Sequence, residues 1–284
     1  MAESDIVAFS REIIDAVKTG RVVDRDQLQN LKLKLCKAYG LGEVPPNSDI
    51  LANVDSEDRK LLTPFLLKKP TRTISGVAVV AVMTSPHDCP HGRCAFCPGG
   101  VQNDSPQSYT GKEPAARRAG RNKFDPWMQV TDRVTQLTEI GHKTDKIDLI
   151  IMGGTFTSRD PEYQEWFVRR CFDALNGVDS ETLEDAHRLN ETSAHRCVGL
   201  TVETRPDVFT SEQIERVMSF GATRVELGVQ ILDDDVLAGV DRGHGVEEVR
   251  RCTRDCKDHG LKICYHIMPG LPGSSPERDY ESFR

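Results

Sequence analysis

The chain has no long hydrophobic run. Its longest apolar stretch, Val77 to Met83, falls far below the roughly 20 residues that cross a bilayer as a helix, so no membrane span is expected. Residues Met1 to Ser10 lack the basic region and following apolar run of a secretory leader. An even disulfide framework is missing too. The nine cysteines, scattered from Cys36 to Cys264, suit a reducing interior, and the expected location is cytoplasmic. Nor is the chain polybasic: its net charge of -7 argues against general stickiness but is silent on a local patch that tracks phosphates. At 284 residues and 38% hydrophobic it can bury a sizeable core, as one large domain or as one domain plus an extension.

What is present is concentrated. Cys89, Cys94 and Cys97 fall within nine residues, directly after the apolar run. Three thiolates on one loop leave one metal position open. Structural zinc closes with four ligands, which His87 or His91 could complete as a Cys3His site; a four-iron cluster on three cysteines keeps one iron free for a cosubstrate. Spacing alone leaves both open. Two basic segments flank the loop: Arg59 to Arg72 has five basic residues (Arg59, Lys60, Lys68, Lys69, Arg72) and no acidic one, and Lys112 to Lys123 has five (Lys112, Arg117, Arg118, Arg121, Lys123) against Glu113 alone. Most such runs are solvated helix faces, yet two that bracket a metal loop suit a nucleic-acid substrate.

Apolar spacing predicts helices over Ser4 to Thr19, capped by Ser4 or Asp5, over Asp26 to Tyr39 and over Ser56 to Leu67, with Glu43 to Ser48 as a turn-rich connector. Residues 1–70 thus read as a small helical extension, either a packing appendage or a binding element. From Thr71 strands alternate with helices. The strands are expected over Ile74 to Met83, Lys146 to Met152, Cys197 to Glu203, Thr223 to Gln230 and Lys262 to Met268. Between them, helices are expected over Pro126 to Ile140, Asp160 to Leu175, Ser180 to Asn190, Ser211 to Phe220 and Val246 to His259. This order implies an α/β fold of parallel β-α-β units, with every strand buried on both sides.

A parallel sheet gathers its functional loops at the carboxyl ends of its strands. There lie the cysteine loop, Gly153-Gly154-Thr155, Glu203-Thr204-Arg205-Pro206-Asp207, Gly228-Val229-Gln230 and Met268-Pro269-Gly270-Leu271-Pro272-Gly273. Singly, Gly-Gly is a tight turn and Pro-Gly-Leu-Pro-Gly a loop stiffener. Together they converge on one mouth, which a zinc knuckle has no need to build.

These blocks, with Phe96 just before the last cysteine, Gln107-Ser108-Tyr109-Thr110-Gly111, Asp145-Lys146, Glu226-Leu227, Arg242-Gly243-His244 and His266-Ile267, resemble those of radical S-adenosylmethionine (SAM) enzymes. Within them they resemble the family of Elongator catalytic subunits, the tRNA carboxymethyluridine synthases. The resemblance covers about residues 70 to 284 and implies a partial (β/α)6 radical SAM barrel over 71–284, behind the small N-terminal helical extension over 1–70, a possible tRNA-binding element. Two departures stand out. The first gap is Cys-x4-Cys where the widespread pattern is Cys-x3-Cys-x2-Cys, a difference a loop wrapping one cluster corner tolerates. Family members also continue into a sixth strand and an acetyltransferase-like domain, whereas this sequence ends at Arg284, so a domain truncated before its last strand is expected.

By the resemblance, Cys89, Cys94 and Cys97 ligate three irons of a [4Fe–4S] cluster whose fourth iron binds SAM, and electron transfer to SAM releases a 5′-deoxyadenosyl radical. Gly153, Gly154 and Thr155 are expected to admit SAM closely, with Glu203, Arg205 and Gln230 as polar partners and Met268 and Pro269 as an apolar wall. A structural alternative is that Glu203 and Arg205 only pair with each other. Lys146 matches a lysine implicated in acetyl-CoA binding; otherwise it is a snorkelling strand-start lysine. The implied reaction takes a hydrogen atom from the methyl group of acetyl-CoA and adds the carbon radical to C5 of a tRNA wobble uridine, with Lys68, Lys69, Arg72, Arg117, Arg118, Arg121 and Lys123 as candidate phosphate contacts. Implied partners are tRNA, acetyl-CoA and an electron donor, in a homodimer or an Elongator-like assembly. A zinc-stabilised RNA-binding module and a radical SAM enzyme with another substrate are the alternatives.

Overall fold

A computed structural model of the chain describes residues 3–67 and 70–284, without the side chains of residues 3, 4, 56, 70 and 72. It forms two compact units, Met1–Ala78 with Arg133–Thr144, and Val79–Asp132 with Asp145–Arg284. The first unit holds helices α1 (Glu3–Lys18), α2 (Arg25–Ala38), α3 (Asn47–Ala52) and α4 (Ser56–Leu66). Its core is the helical stripe read from the sequence: Phe9, Ile13 and Val17 of α1 pack with Leu28 and Leu35 of α2 and Leu62 and Leu66 of α4. Asp24 caps α2 through the Gln27 amide at 2.7 Å, and Asp55 caps α4. Helix α1 spans Glu3–Lys18, so Ser4 and Asp5, expected as its cap, lie inside its first turn. Helix α3 replaces the end of the expected connector, because Ile50 and Leu51 find a place in the core that local turn chemistry does not reveal.

In the second unit the strands are β1 (Ala78–Met83), β2 (Lys146–Met152), β3 (Arg196–Thr204), β4 (Arg224–Gln230) and β5 (Lys262–Ile267). They lie side by side in chain order, and β2 through β5 pair in parallel. The connecting helices are α5 (Pro114–Arg121), α6 (Pro126–Glu139), whose second half belongs to the first unit, α7 (Pro161–Asn176), α8 (Leu183–Asn190), α9 (Ser211–Ser219), α10 (Asp234–Gly239) and α11 (Val246–Asp258), and α12 (Pro276–Phe283) follows β5. The architecture is the expected α/β one. Strand β1 starts four residues later than expected because Pro70–Thr73 forms a 3-10 turn.

Not every strand is buried on both sides: β3 is buried through its last five residues, whereas β4, and β2 after its exposed first residue, alternate buried and half-buried positions. Ile147, Leu149, Ile151, Val225, Leu227 and Val229 are fully buried on one face, where the helices lie. The other face carries Asp148, Thr201, Glu203, Arg224, Glu226 and Gln230. Parallel β-α-β units cover one side of such a sheet with helices, and the other side here carries the polar residues. Strand β5 is an outer strand, with Cys264, Tyr265 and His266 exposed.

Candidate active site

The cysteine loop leaves β1 and folds back twice, through Gly92 N–H to Cys89 O at 3.0 Å and Cys97 N–H to Cys94 O at 3.0 Å. Gly92 takes a left-handed φ of +91° in the first turn, a conformation glycine adopts without strain. All three cysteines are buried and line one cavity of about 420 Å³ at the carboxyl ends of the strands. Each sulfur meets a polar partner. Thr155 Oγ1 stands 3.5 Å from Cys89, His91 Nε2 3.1 Å and Arg242 NH1 3.5 Å from Cys94, and Gln107 Nε2 donates to Cys97 at 3.1 Å. The donors among them, Gln107 and Arg242, are aimed at sulfur as suits thiolates that hold a cluster. Burial pushes the Cys89 thiol up from its ordinary value, so without metal it stays protonated.

His91 accepts from the Arg205 guanidinium at 2.9 Å, and burial beside Arg205 and Arg242 lowers its pKa to about 4. Its Nε2 is thus engaged by Arg205, and Cys89, Cys94 and Cys97 offer three thiolates, the set that leaves one iron of a four-iron cluster open.

Of the residues expected to hold SAM, Gly154, Thr155, Glu203, Arg205, Gln230 and Met268 line the cavity, while Gly153 and Pro269 are not among its walls. The fold itself also requires both glycines. A Cβ on Gly153 would stand 2.1 Å from Thr84 Oγ1, and one on Gly154 2.9 Å from the Gln107 carbonyl oxygen, at φ of +135° and +81°. They let the protein's own chain pack closely, so a side chain there would disturb the fold before it met a ligand. Glu203 and Arg205 do not pair with each other. Arg205 forks onto Asp207 at 3.0 Å through both Nε and NH2, and Glu203 accepts from the Tyr109 hydroxyl at 2.8 Å. Burial raises Glu203, and burial with the Glu203 charge raises Tyr109. Gln230 is aimed by a register shift between Leu227 and Gln230 and by a left-handed φ of +74°, an unusual backbone for a side chain of its kind.

Several walls of the cavity were not singled out as site residues: Tyr109, Glu226, Gly228, Arg242 and His266. For Glu226 and His266 the signal was available as polar positions on the β4 and β5 segments. A Cβ on Gly228 would meet Arg242 NH2 at 2.8 Å, so a side chain there would push that guanidinium aside. His266 Nε2 lies 2.9 Å from Glu226, which raises the imidazole pKa and lowers the carboxyl. Lys146 is exposed at the amino end of β2, opposite Arg196, and six residues of strand put it about 20 Å from the mouth. Of the basic residues, Arg117, Arg121 and Lys123 are exposed on and just after α5. Arg118 is not a surface cation: its guanidinium turns inward and donates to the Ala81 carbonyl of β1 at 2.9 Å. Lys68 and Lys69 lie outside the described residues, as does the side chain of Arg72.

The model of the radical SAM superfamily matches residues 83–283. The chain belongs to that superfamily. Radical SAM chemistry rests on a [4Fe–4S] cluster and SAM, the pair the resemblance implied. Residues 6–74 match the ELP3 N-terminal domain. Among curated relatives, a tRNA uridine(34) acetyltransferase of Methanocaldococcus jannaschii is 51% identical over 277 residues, covering 96% of this chain and 51% of that protein. Human Elongator complex protein 3 is 42% identical over 281 residues, with 96% and 51% covered. The chain thus spans about half the length of the curated relatives it matches. Among solved structures, the archaeal Methanocaldococcus infernus Elp3 with its N-terminus (1-46) deleted superimposes with a TM-score of 0.61 at 45% identity, covering 73% of this chain and 41% of that one. Among the described residues no helix is long and apolar enough to cross a membrane.

Proposed function

We propose that this chain carries the radical SAM part of an enzyme that builds 5-carboxymethyluridine at the wobble position of tRNA from acetyl-CoA. The observation that carries the reading is the cavity itself: three buried thiols, each beside a polar partner, share it with the strand-end motifs in a chain 51% identical to a relative named tRNA uridine(34) acetyltransferase.

Cys89, Cys94 and Cys97 would hold three irons and leave the fourth open to SAM. When bound, the cluster delivers one electron to SAM and so supplies a carbon-centred radical able to take hydrogen from a methyl group. Arg242, Gln107 and Thr155 would tune the sulfurs by hydrogen bonding. Gly154, Thr155 and Gln230 would orient SAM by backbone and side-chain polar atoms, and Met268 would keep water from its apolar flank. The buried Arg205 and Arg242 provide a positive field suited to its carboxylate. Arg117, Arg121 and Lys123, with Lys68, Lys69 and Arg72, would contact tRNA phosphates. Lys146, about 20 Å from the mouth, would meet acetyl-CoA only at its far, nucleotide end. The protein would work in the cytoplasm with an electron donor.

Anaerobic reconstitution followed by iron and sulfide analysis, and assay of 5′-deoxyadenosine after reduction with SAM, test this. About four irons per chain and SAM cleavage are expected; tetrahedral zinc, or iron without cleavage, would overturn the reading.

A further inference from the structure

Arg242 carries a charge that no acid answers. It is only 6% exposed, and among the described residues no carboxylate oxygen stands within 4.0 Å of its guanidinium. Asp207 is already forked onto Arg205, whose NH2 also donates to the Arg242 carbonyl at 2.8 Å. The donors of Arg242 go elsewhere: Nε to His244 Nε2 at 3.1 Å, NH2 to the Gly228 carbonyl, and NH1 toward Cys94 Sγ at 3.5 Å. Burial holds the His244 imidazole below its ordinary pKa, so that partner is neutral. The segment bearing Arg242 is pressed against the cysteine loop. A Cβ on Gly243 would stand 2.9 Å from His91 Cβ, and the Ala95 N–H donates to the Val240 carbonyl at 2.9 Å.

A buried cation is costly unless an anion faces it. Of the groups that the guanidinium touches, Cys94 alone can become one. The other two sulfurs meet neutral partners, the Thr155 hydroxyl at Cys89 and the Gln107 amide at Cys97. A cation thus touches one corner of the cysteine loop.

We propose that Arg242 is a positioning residue acting through Cys94: it is the counter-charge of that thiolate when metal is bound, and it raises the reduction potential of the cluster. This rests on the radical SAM reading above. Reduction brings in one electron from an external one-electron donor and breaks no bond, so the reduced cluster carries one more negative charge than the oxidised one. A cation held in a water-poor wall beside a ligand sulfur stabilises the reduced form more. Because Gly228 and His244 already fix the guanidinium, little of that effect is lost to reorientation.

A redox titration of the reconstituted 284-residue protein without SAM, followed by the electron paramagnetic resonance signal of the reduced cluster, tests this. Arg242→Gln is expected to move the reduction equilibrium about tenfold towards the oxidised form, 59 mV for one electron, at unchanged iron content. Arg242→Lys keeps the charge and is expected to recover most of that shift. His244→Glu leaves Arg242 in place but hands it a carboxylate, and should lower the potential in the same direction. A potential equal to the parent's in Arg242→Gln or in His244→Glu would overturn the inference and leave the radical SAM reading standing, as would an equal drop in Arg242→Lys and Arg242→Gln. Loss of iron or of the fold in both Arg242→Gln and His244→Glu would mean that the contact only holds the loop, and would overturn it as well. A parent that takes up no iron would overturn the reading above together with this one.

Discussion

At the scale of single residues, the site depends on which side chains hold a ligand and which hold each other. Arg205 shows the difference: it forks onto Asp207, donates to the Arg242 carbonyl at 2.8 Å and reaches His91, so its donors are engaged within the protein. His91 touches Cys94 without being needed as a ligand, since three thiolates suffice for a cluster with one open iron. Replacing Cys94 or Cys97 by alanine is therefore expected to abolish the broad visible absorption of the reconstituted cluster, whereas His91→Ala should keep it; loss in the histidine variant would argue for a Cys3His site. The Glu226–His266 pair makes a second prediction. Its folded-state imidazole titrates above the ordinary 6.5 because the Glu226 carboxylate accepts from it, so the stabilisation it lends is fully present below pH about 6.5 and fades as pH rises through the raised value. An NMR titration of the His266 ring should find its midpoint above 6.5 in the parent and lower in Glu226→Gln. An unchanged midpoint would mean the contact carries no charge.

Elements decide which charges face outward. Helix α5 places Arg117 and Arg121 four residues apart, on one exposed side, while Arg118 turns to the β1 backbone. Composition cannot separate these three arginines; helical geometry does. Charge reversal at Arg117 and Arg121 together is expected to weaken tRNA binding and reduce the slope of affinity against salt by about 1 to 2. Arg118→Ala is expected instead to lower the thermal midpoint and leave the salt slope alone, because it strands a half-buried carbonyl and not a phosphate contact. Equal salt slopes in the parent and the double variant would move the RNA to another face.

Across the whole molecule the chain divides into two units, and each carries its own hydrophobic centre. Phe9 in the first and Phe167 in the second are both fully buried; Phe167 packs near Phe156 with ring centroids 6.3 Å apart. Truncating either to alanine is expected to cost about 3–5 kcal/mol by urea unfolding. A loss below about 1 kcal/mol at either site would show that its surroundings collapse to refill the space. Phe9 falls in the segment that matches the ELP3 N-terminal domain and Phe167 in the one that matches the radical SAM superfamily.

How far the sequence reached follows from the range of the forces involved. Element order, the parallel sheet and the cysteine loop were legible because they rest on local periodicity and on ligand spacing within a few residues. Even the polar face of the sheet was written in the alternation of Lys146-Ile147-Asp148-Leu149 and Arg224-Val225-Glu226-Leu227, although uniform burial was expected of parallel strands. Only the tertiary structure could decide contacts between residues far apart in the chain. It brought Tyr109 to Glu203 and Arg242 to Cys94, turned Arg118 inward, and set Gly153 and Gly154 against Thr84 and Gln107. No one-dimensional pattern encodes such distances, because each depends on how two separately specified elements dock. The identity of the chemistry lay in the sequence; the partners of each reacting side chain lay in the fold.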